Sequence, residues 1–496
     1  DVALKGYIPI IYRYRRFLAP DVRYRIMRLL NKTGPHEPAD DTYCGLAGVS
    51  ETENHRLMIE SSRYLTNQLL FQQSGNPRYD NSVNGMDEFF LKILQGHFMG
   101  DFNEYNARPY ERYTFAAVQN LYDYAQNPKV KLGAKLVLHY LSAKVALSAS
   151  DARRDPPYRR RASHNHADLF HPQSDPLKDR FLIYTAPTLV MNEMYPANTI
   201  KWSAPAEMVL AAATSYQPPS LVLDLMVNPA GRSFFQRFRH YGAEVFSGEP
   251  DFLITAGGLP TPPAYTVLGF GKDEDRGVVE PTFLMPSGQF TTVEQMIHFG
   301  GAGTILEPGA TLCVAPDFAC GVLPVIPELY TPPDRPACWS RAGNWTFIDF
   351  ASDACKDAAH REFGFYAAVY SDGDDFGFFE AVPKARLGGI ALAEFARITL
   401  GQNGNFPFHR FGANRYRAWG GNQIIFNTRQ VNPILATGIP SFDRLLNVNI
   451  DRWSLAEGTV ARSHAFEGVL LLTNPATGQK LFLDFSDREN PVEVEP

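Results

Sequence analysis

The spacing of apolar residues changes near the middle of the chain. From about residue 20 to 215 they recur mainly at helical intervals. Leu57, Met58, Tyr64, Leu65 and Leu69 form one such stripe, behind a start signal made by Ser50 and Glu53. A serine with glutamate three residues later can form a capping box, each side chain bonding the other's backbone N–H. A second helix is expected from Met86 to about Gly96. A third opens on Pro109, since proline is well tolerated in a first turn. It continues through Tyr110, Tyr113, Ala117, Leu121 and Tyr124. A fourth spans Val130 to Leu147, with Leu132, Leu136, Val137, Tyr140, Leu141 and Val145 on its buried side. The short connection 126–129 makes the third and fourth antiparallel neighbours.

Beyond about residue 220 the pattern shortens. Apolar runs at 220–226, 251–255 and 468–473 alternate with clusters of Gly, Pro, Asn and Asp. Gly257-Gly258, the prolines between 260 and 263, and Asn403-Gly404 punctuate them as turns. Many short strands separated in this way predict an antiparallel β-sandwich. One helix is expected inside it, from Leu387 to Ile398. The fold class is therefore α+β, with helices segregated ahead of sheets. A length of 496 residues exceeds the usual limit of a single core. The division expected is 1–218 helical and 219–496 β-sandwich, with the boundary at Pro218-Pro219.

Composition narrows the function less. The chain is 45% hydrophobic and 20% charged, with a net charge of -6, which gives no reason to expect nucleic acid as a partner. Aromatic residues make up 13%, suiting both a sugar-binding cleft and a large β domain. No apolar run is long enough to span a bilayer. Cys313 with Cys320, and Cys338 with Cys355, can each close a small loop, leaving Cys44 over. Two local disulfides point to export, and a secreted or periplasmic location is expected. Asn31 and Asn344 each begin a glycosylation sequon. The glycine-containing segments 269–272 and 300–303 lack phosphate-loop spacing, and no HExxH or GxSxG motif occurs. No cofactor and no metal are expected.

Three segments carry candidate chemistry. Asn54 and His55 fall in the first turn of the helix opened by Ser50, where the dipole disfavours imidazolium. A neutral imidazole beside an amide donor suits proton abstraction from carbon; otherwise both simply begin a polar helix. The segment 101–113 collects Glu104, Tyr105, Arg108, Tyr110 and Arg112. Arginine forks match carboxylates, so these residues suit an anionic sugar. The alternative is tyrosines packing the hairpin with charges in water. The segment 158–166 adds Arg160, His164 and His166, which complete an anionic cleft or form a solvated basic loop.

The helices-then-sheets order, Glu53-Asn54-His55 at a helix start and 103–110 leading into a tyrosine-rich helix resemble (α/α)-toroid polysaccharide lyases of the heparinase II/III and alginate lyase type. The resemblance is architectural and local. It implies an incomplete (α/α) toroid in residues 1–218 and a polysaccharide or oligosaccharide substrate containing uronic acid. It also implies metal-independent β-elimination. By that resemblance Asn54 neutralises the uronate carboxylate, His55 is the base, Tyr105 or Tyr110 is the acid, and Arg108 and Arg112 hold carboxylates. The β-half histidine of some such sites has no motif here; His240 and His298 are the possible suppliers. Two rivals stand beside this reading. A glycoside hydrolase needs two separated carboxylates, for which Glu53, Glu60, Asp101 and Glu104 are candidates. A non-catalytic glycan-binding protein needs only the aromatic and basic platform.

Overall fold

The computed structural model describes residues 3–31, 37–38, 43–44, 49–50, 52–102, 110–154, 177–191, 205–238, 242–258, 283–287, 296–299, 311–321, 324–350, 352–355, 364–373, 376–404, 406, 408–409, 413–427, 453–458, 460–464 and 466–494. Helices come first: α1 (Leu4–Tyr14), α2 (Pro20–Leu30), α3 (Glu53–Ser74), α4 (Met86–Gly100), α5 (Glu111–Tyr124), α6 (Pro128–Leu147), α7 (Lys178–Met191), α8 (Pro205–Ala213) and α9 (Ser220–Val227). Two short hairpins lie among them, β1 (Tyr43–Cys44) with β2 (Val49–Ser50), and β3 (Ala149–Ser150) with β4 (Arg153–Arg154).

The sheets follow. One is built from β5 (Arg232–Phe238), β6 (Gly242–Glu249), β7 (Phe252–Gly258), β8 (Phe283–Pro286) and β9 (Ile297–His298). A second contains β10 (Thr311–Ala315), β11 (Phe318–Gly321), β12 (Trp339–Ala342), β13 (Trp345–Asp349), β14 (Phe365–Ser371) and β15 (Gly377–Pro383). Helices α10 (Lys384–Leu387) and α11 (Leu392–Asn403) lead to the hairpin of β16 (Ala413–Arg417) and β17 (Gln423–Asn427). The chain then returns to the first sheet as β18 (Trp453–Gly458), β19 (Ala461–His464), β20 (Val469–Thr473), β21 (Lys480–Asp484) and β22 (Val492–Val494). The first sheet has the order β22-β21-β20-β19-β18-β5-β6-β7-β8-β9, and the second β10-β11-β15-β14-β13-β12. Among the described residues every strand pairing is antiparallel, and with the helices this makes a mixed α+β protein.

The central strands β13, β14 and β15 of the second sheet are buried on both faces, and their residues sort by parity. Ile348, Phe350, Phe365, Ala367, Val369, Phe379 and Ala381 join the core shared with the first sheet. Their neighbours Trp345, Phe347, Tyr366, Ala368, Tyr370, Phe378 and Val382 face α11 and the β16–β17 hairpin. Phe252 against Phe365, at 4.9 Å between ring centroids, and Phe299 stacked on Phe379, at 5.3 Å, tie the two sheets together. A strand with both faces buried loses the alternation that marks a half-exposed one. The helices join the same core. A Cβ on Gly133 of α6 would lie 2.8 Å from the Phe485 ring, so glycine permits that close approach.

Several expectations change. The α5–α6 hairpin is present, with Asn127 accepting from the Lys129 N–H at 2.9 Å to cap α6. The run 220–226, expected as a strand, is helix α9. It packs on α6 through Leu221, Val222, Leu225 and Met226, which are buried, so little polar face is left to reveal the helical period. The helix expected at 387–398 is displaced to α11, with the short α10 before it. Ser50 does not cap α3, because it ends β2; Thr52 takes the cap position instead. Pro109 lies outside the described residues. Cys338 and Cys355 are disulfide-bonded. Cys313 and Cys320 are cross-strand partners on β10 and β11, and Cys320 is disulfide-bonded. Among the described residues no helix is long and apolar enough to cross a membrane.

Candidate functional site

Helix directions decide which residues meet. The Gln68 side chain of α3 donates to the Tyr124 carbonyl at 2.9 Å and accepts from the Gln126 N–H at 2.9 Å. Helix α3 packs along α5, so with their C-terminal ends together the two run parallel and begin at the same edge. Helix α4 runs against α3: the Tyr64 hydroxyl donates to Asp87 near the start of α4, and Glu53 shares a groove with Gly96 and His97 near its end. Helix α6 ends there too. Its Lys144 pairs with Asp101 at 2.7 Å, and Arg154 just beyond it pairs with Glu111 at 2.7 Å. One edge of the helical region thus gathers the beginnings of α3 and α5 and the ends of α4 and α6.

Asn54 and His55 sit on this edge. Asn54 is buried, with 1% of its surface exposed. Its Oδ1 accepts from the Thr52 hydroxyl and from the His55 N–H, the latter at 2.7 Å. Among the described residues that leaves Nδ2 as a buried donor with no hydrogen-bond partner. A buried unsatisfied amide donor costs about 1–3 kcal/mol. His55 is half-buried beside it.

Tyr110 and Arg112 occupy the start of α5 on the same edge. The rings of Tyr110 and Tyr113 lie 6.4 Å apart, and Arg112 donates to the Tyr113 hydroxyl at 2.9 Å. Four of the expected site residues are therefore brought to one edge: Asn54, His55, Tyr110 and Arg112. Glu104, Tyr105, Arg108, Arg160, His164 and His166 lie outside the described residues. Of the two histidines of the β-half, His240 also lies outside the described residues. His298 is buried in β9, its Nδ1 2.9 Å from the Met296 carbonyl.

Other groups here escaped sequence reasoning. The Lys144–Asp101 pair is fully buried and sits beside Tyr140, whose hydroxyl burial holds far above its ordinary pKa. The carboxylates of Asp101 and Glu111 push in the same direction. Tyr140 stays protonated at any physiological pH. Lys5 of α1 reaches the Tyr113 ring at 4.4 Å to the centroid. Burial lowers its pKa to about 8; Glu207 opposes that shift, while Arg112 and Arg180 add to it. The signal available was a lysine inside an apolar stripe: Lys5 precedes Ile8, and Lys144 falls between Leu141 and Val145.

The cavities divide between the two edges. A groove of about 520 Å³ lies between α3 and α4, lined by Glu53, Arg56, Glu60 and His97 among others. A wider one of about 700 Å³ opens at the opposite edge, around Asn81, Gln126 and Arg488, and contains none of the expected site residues. Among the described residues no three His, Cys, Asp or Glu side chains converge as metal ligands. No protein-family model matches the chain, and no curated protein matches it.

Proposed function

We propose that the chain cleaves a uronate-containing polysaccharide by β-elimination at the edge where α3 and α5 begin. The observation that carries the reading is the Asn54 amide. Its oxygen is occupied by Thr52 and His55, and its buried Nδ2–H has no partner among the described residues, which suits it to bind a substrate carboxylate. Neutralising that carboxylate acidifies the C5 proton, and donors aimed at the developing enolate stabilise the transition state. His55 removes the proton, the C4=C5 double bond forms, and the bond from C4 to the bridging oxygen breaks. Tyr110, or Tyr105, gives its proton to the leaving oxygen. Arg112 and Arg108 hold carboxylates.

The architecture supports this reading. Parallel α3 and α5 with antiparallel partners α4 and α6 fit an incomplete (α/α) toroid, and the two packed antiparallel sheets fit a β-sandwich. The Cys338–Cys355 disulfide fits a secreted or periplasmic protein. The hydrolase alternative is less favoured, because Glu60 is held by Arg63 and Asp101 by Lys144. On a polysaccharide that the protein cleaves, His55→Ala and Asn54→Leu should each lower kcat about a hundredfold or more, with circular dichroism showing that each variant is folded. Wild-type turnover in His55→Ala would remove histidine as the base. Binding without any turnover in the unmodified protein would favour a glycan-binding role.

A further inference from the structure

Lys5 lies on the buried stripe of α1 and is 8% exposed. Among the described residues its ammonium meets no carboxylate and no hydrogen-bond acceptor; its close neighbour is the face of Tyr113, 4.4 Å to the centroid. Arg112 lies over the same ring with its Cζ 4.7 Å from the centroid. Among the described residues its hydrogen bond goes to the Tyr113 hydroxyl, not to a carboxylate, and its buried Nε has no partner. The carboxylate that acts on Lys5 is Glu207 of α8, already engaged by Arg180 of α7 at 2.9 Å. Arg180 also donates to Gln119 of α5.

Among the described residues the local balance is three cations, Lys5, Arg112 and Arg180, to one carboxylate, Glu207. Burying an ammonium without a counter-charge costs several kcal/mol, of which a cation–π contact returns about 1–2 kcal/mol. The missing partner is negative. We propose that Lys5, Arg112 and Tyr113 form a binding site for an oxyanion, a carboxylate or sulfate group of an acidic saccharide. The saccharide is named on the strength of the reading above; the oxyanion site follows from the side chains alone. Lys5 supplies a point charge, the Arg112 Nε–H a directed donor, and Tyr113 the apolar floor. Because Tyr113 is on the first turn of α5, the oxyanion would sit toward the same edge as Asn54 and His55.

Proton linkage makes the site testable. The groups facing Lys5 are Arg112, Tyr113, Arg180 and Glu207, and together with burial they leave its amine half protonated near pH 8. A bound anion restores the ammonium, so binding takes up protons and weakens as pH rises.

The experiment titrates the full chain with sodium sulfate and sodium glucuronate against sodium chloride at matched ionic strength, read by thermal shift and calorimetry. Saturable binding of either oxyanion is expected, with Kd rising about tenfold from pH 7 to pH 9 as a Lys5 amine of pKa about 8 loses its proton. At pH 8 about half a proton should be taken up per anion, measured in two buffers of different ionisation enthalpy. Lys5→Arg should keep the affinity and lose the pH dependence, while Lys5→Met and Arg112→Gln weaken binding at least tenfold. Chloride acting as well as sulfate, zero proton uptake in the unmodified protein, or unchanged affinity in Lys5→Met would overturn the proposal. Oxyanion binding in a protein that cleaves no polysaccharide would leave this site standing and remove the lyase reading.

Discussion

Replacing Glu380 by glutamine should make the protein's stability less sensitive to pH between 5 and 8. Glu380 is on β15, on the face that packs against α11 and the β16–β17 hairpin, between Phe379 and Ala381 of the opposite face. Only 5% of it is exposed, among aromatic rings. The Tyr416 hydroxyl donates to one oxygen at 2.5 Å and the Trp419 N–H to the other at 2.9 Å. Burial raises its pKa from 4.5 to about 7, against the opposing effect of those two hydrogen bonds. Asp317 adds to the rise and Arg386 reduces it. A folded-state pKa above the unfolded one stabilises fully below about pH 4.5, and that stability is lost as pH rises through about 7. A shift of this size corresponds to about 3 kcal/mol.

Glutamine can keep both contacts, accepting from Trp419 N–H and donating to a reoriented Tyr416 hydroxyl. Any cost of imperfect geometry is the same at both ends of the pH range. Urea unfolding at pH 5 and pH 8 should therefore show the variant gaining about 2–3 kcal/mol relative to the parent between the two. Parallel curves, with a constant difference at every pH, would refute a carboxylate that titrates in the folded state. A large loss at both pH values would show that both carboxylate oxygens are needed as acceptors.

Three further outcomes follow from other parts of the fold. Glu493 of β22 is bound by Lys135 and by His139 at 3.0 Å, and these contacts lower its pKa to about 2 against the effect of burial. Its stabilisation is present above about pH 4.5 and lost as pH falls through about 2, so Glu493→Gln should lose about 1–2 kcal/mol at pH 7, after discounting for solvent around a half-buried group, and nothing at pH 2. Separating Cys338 from Cys355, which are 17 residues apart, with a Cys338→Ser, Cys355→Ser double variant should lower stability by about 3 kcal/mol in urea unfolding. Thr52→Val frees the Asn54 oxygen from its hydroxyl partner and should cut kcat about five- to tenfold, the worth of one positioning hydrogen bond, while leaving the circular dichroism spectrum unchanged.

What was legible in the chain depended on how local each cause was. The α5–α6 hairpin could be read because its determinants, Asn127, Pro128 and the short connection, are adjacent in sequence. The strands at 252–258 and 469–473 announced themselves by apolar runs between turn residues. Helix α9 did not, because an eight-residue helix buried against α6 presents few polar positions from which to tell period 3.6 from 2. The Ser50–Glu53 capping pattern was overridden by pairing of Val49 and Ser50 with Tyr43 and Cys44, a contact no helix signal contains. At the site, Asn54 and His55 were visible as residues, but the use of the Asn54 oxygen by Thr52 was not. Lys5 and Lys144 were not read as site residues, the only local signal being a charge within an apolar stripe. Their meaning rests on Tyr113 and on Asp101, residues distant in sequence and close only once parallel helices share an edge.

β-Elimination is detected by following ultraviolet absorbance and new reducing ends together, with the full chain on a panel of uronate-containing polysaccharides. A double bond conjugated to the uronate carboxylate absorbs, so the two signals should rise in step on at least one substrate and vanish together in His55→Ala. Reducing ends without absorbance would contradict elimination and place the chemistry on the carboxylates of a hydrolase.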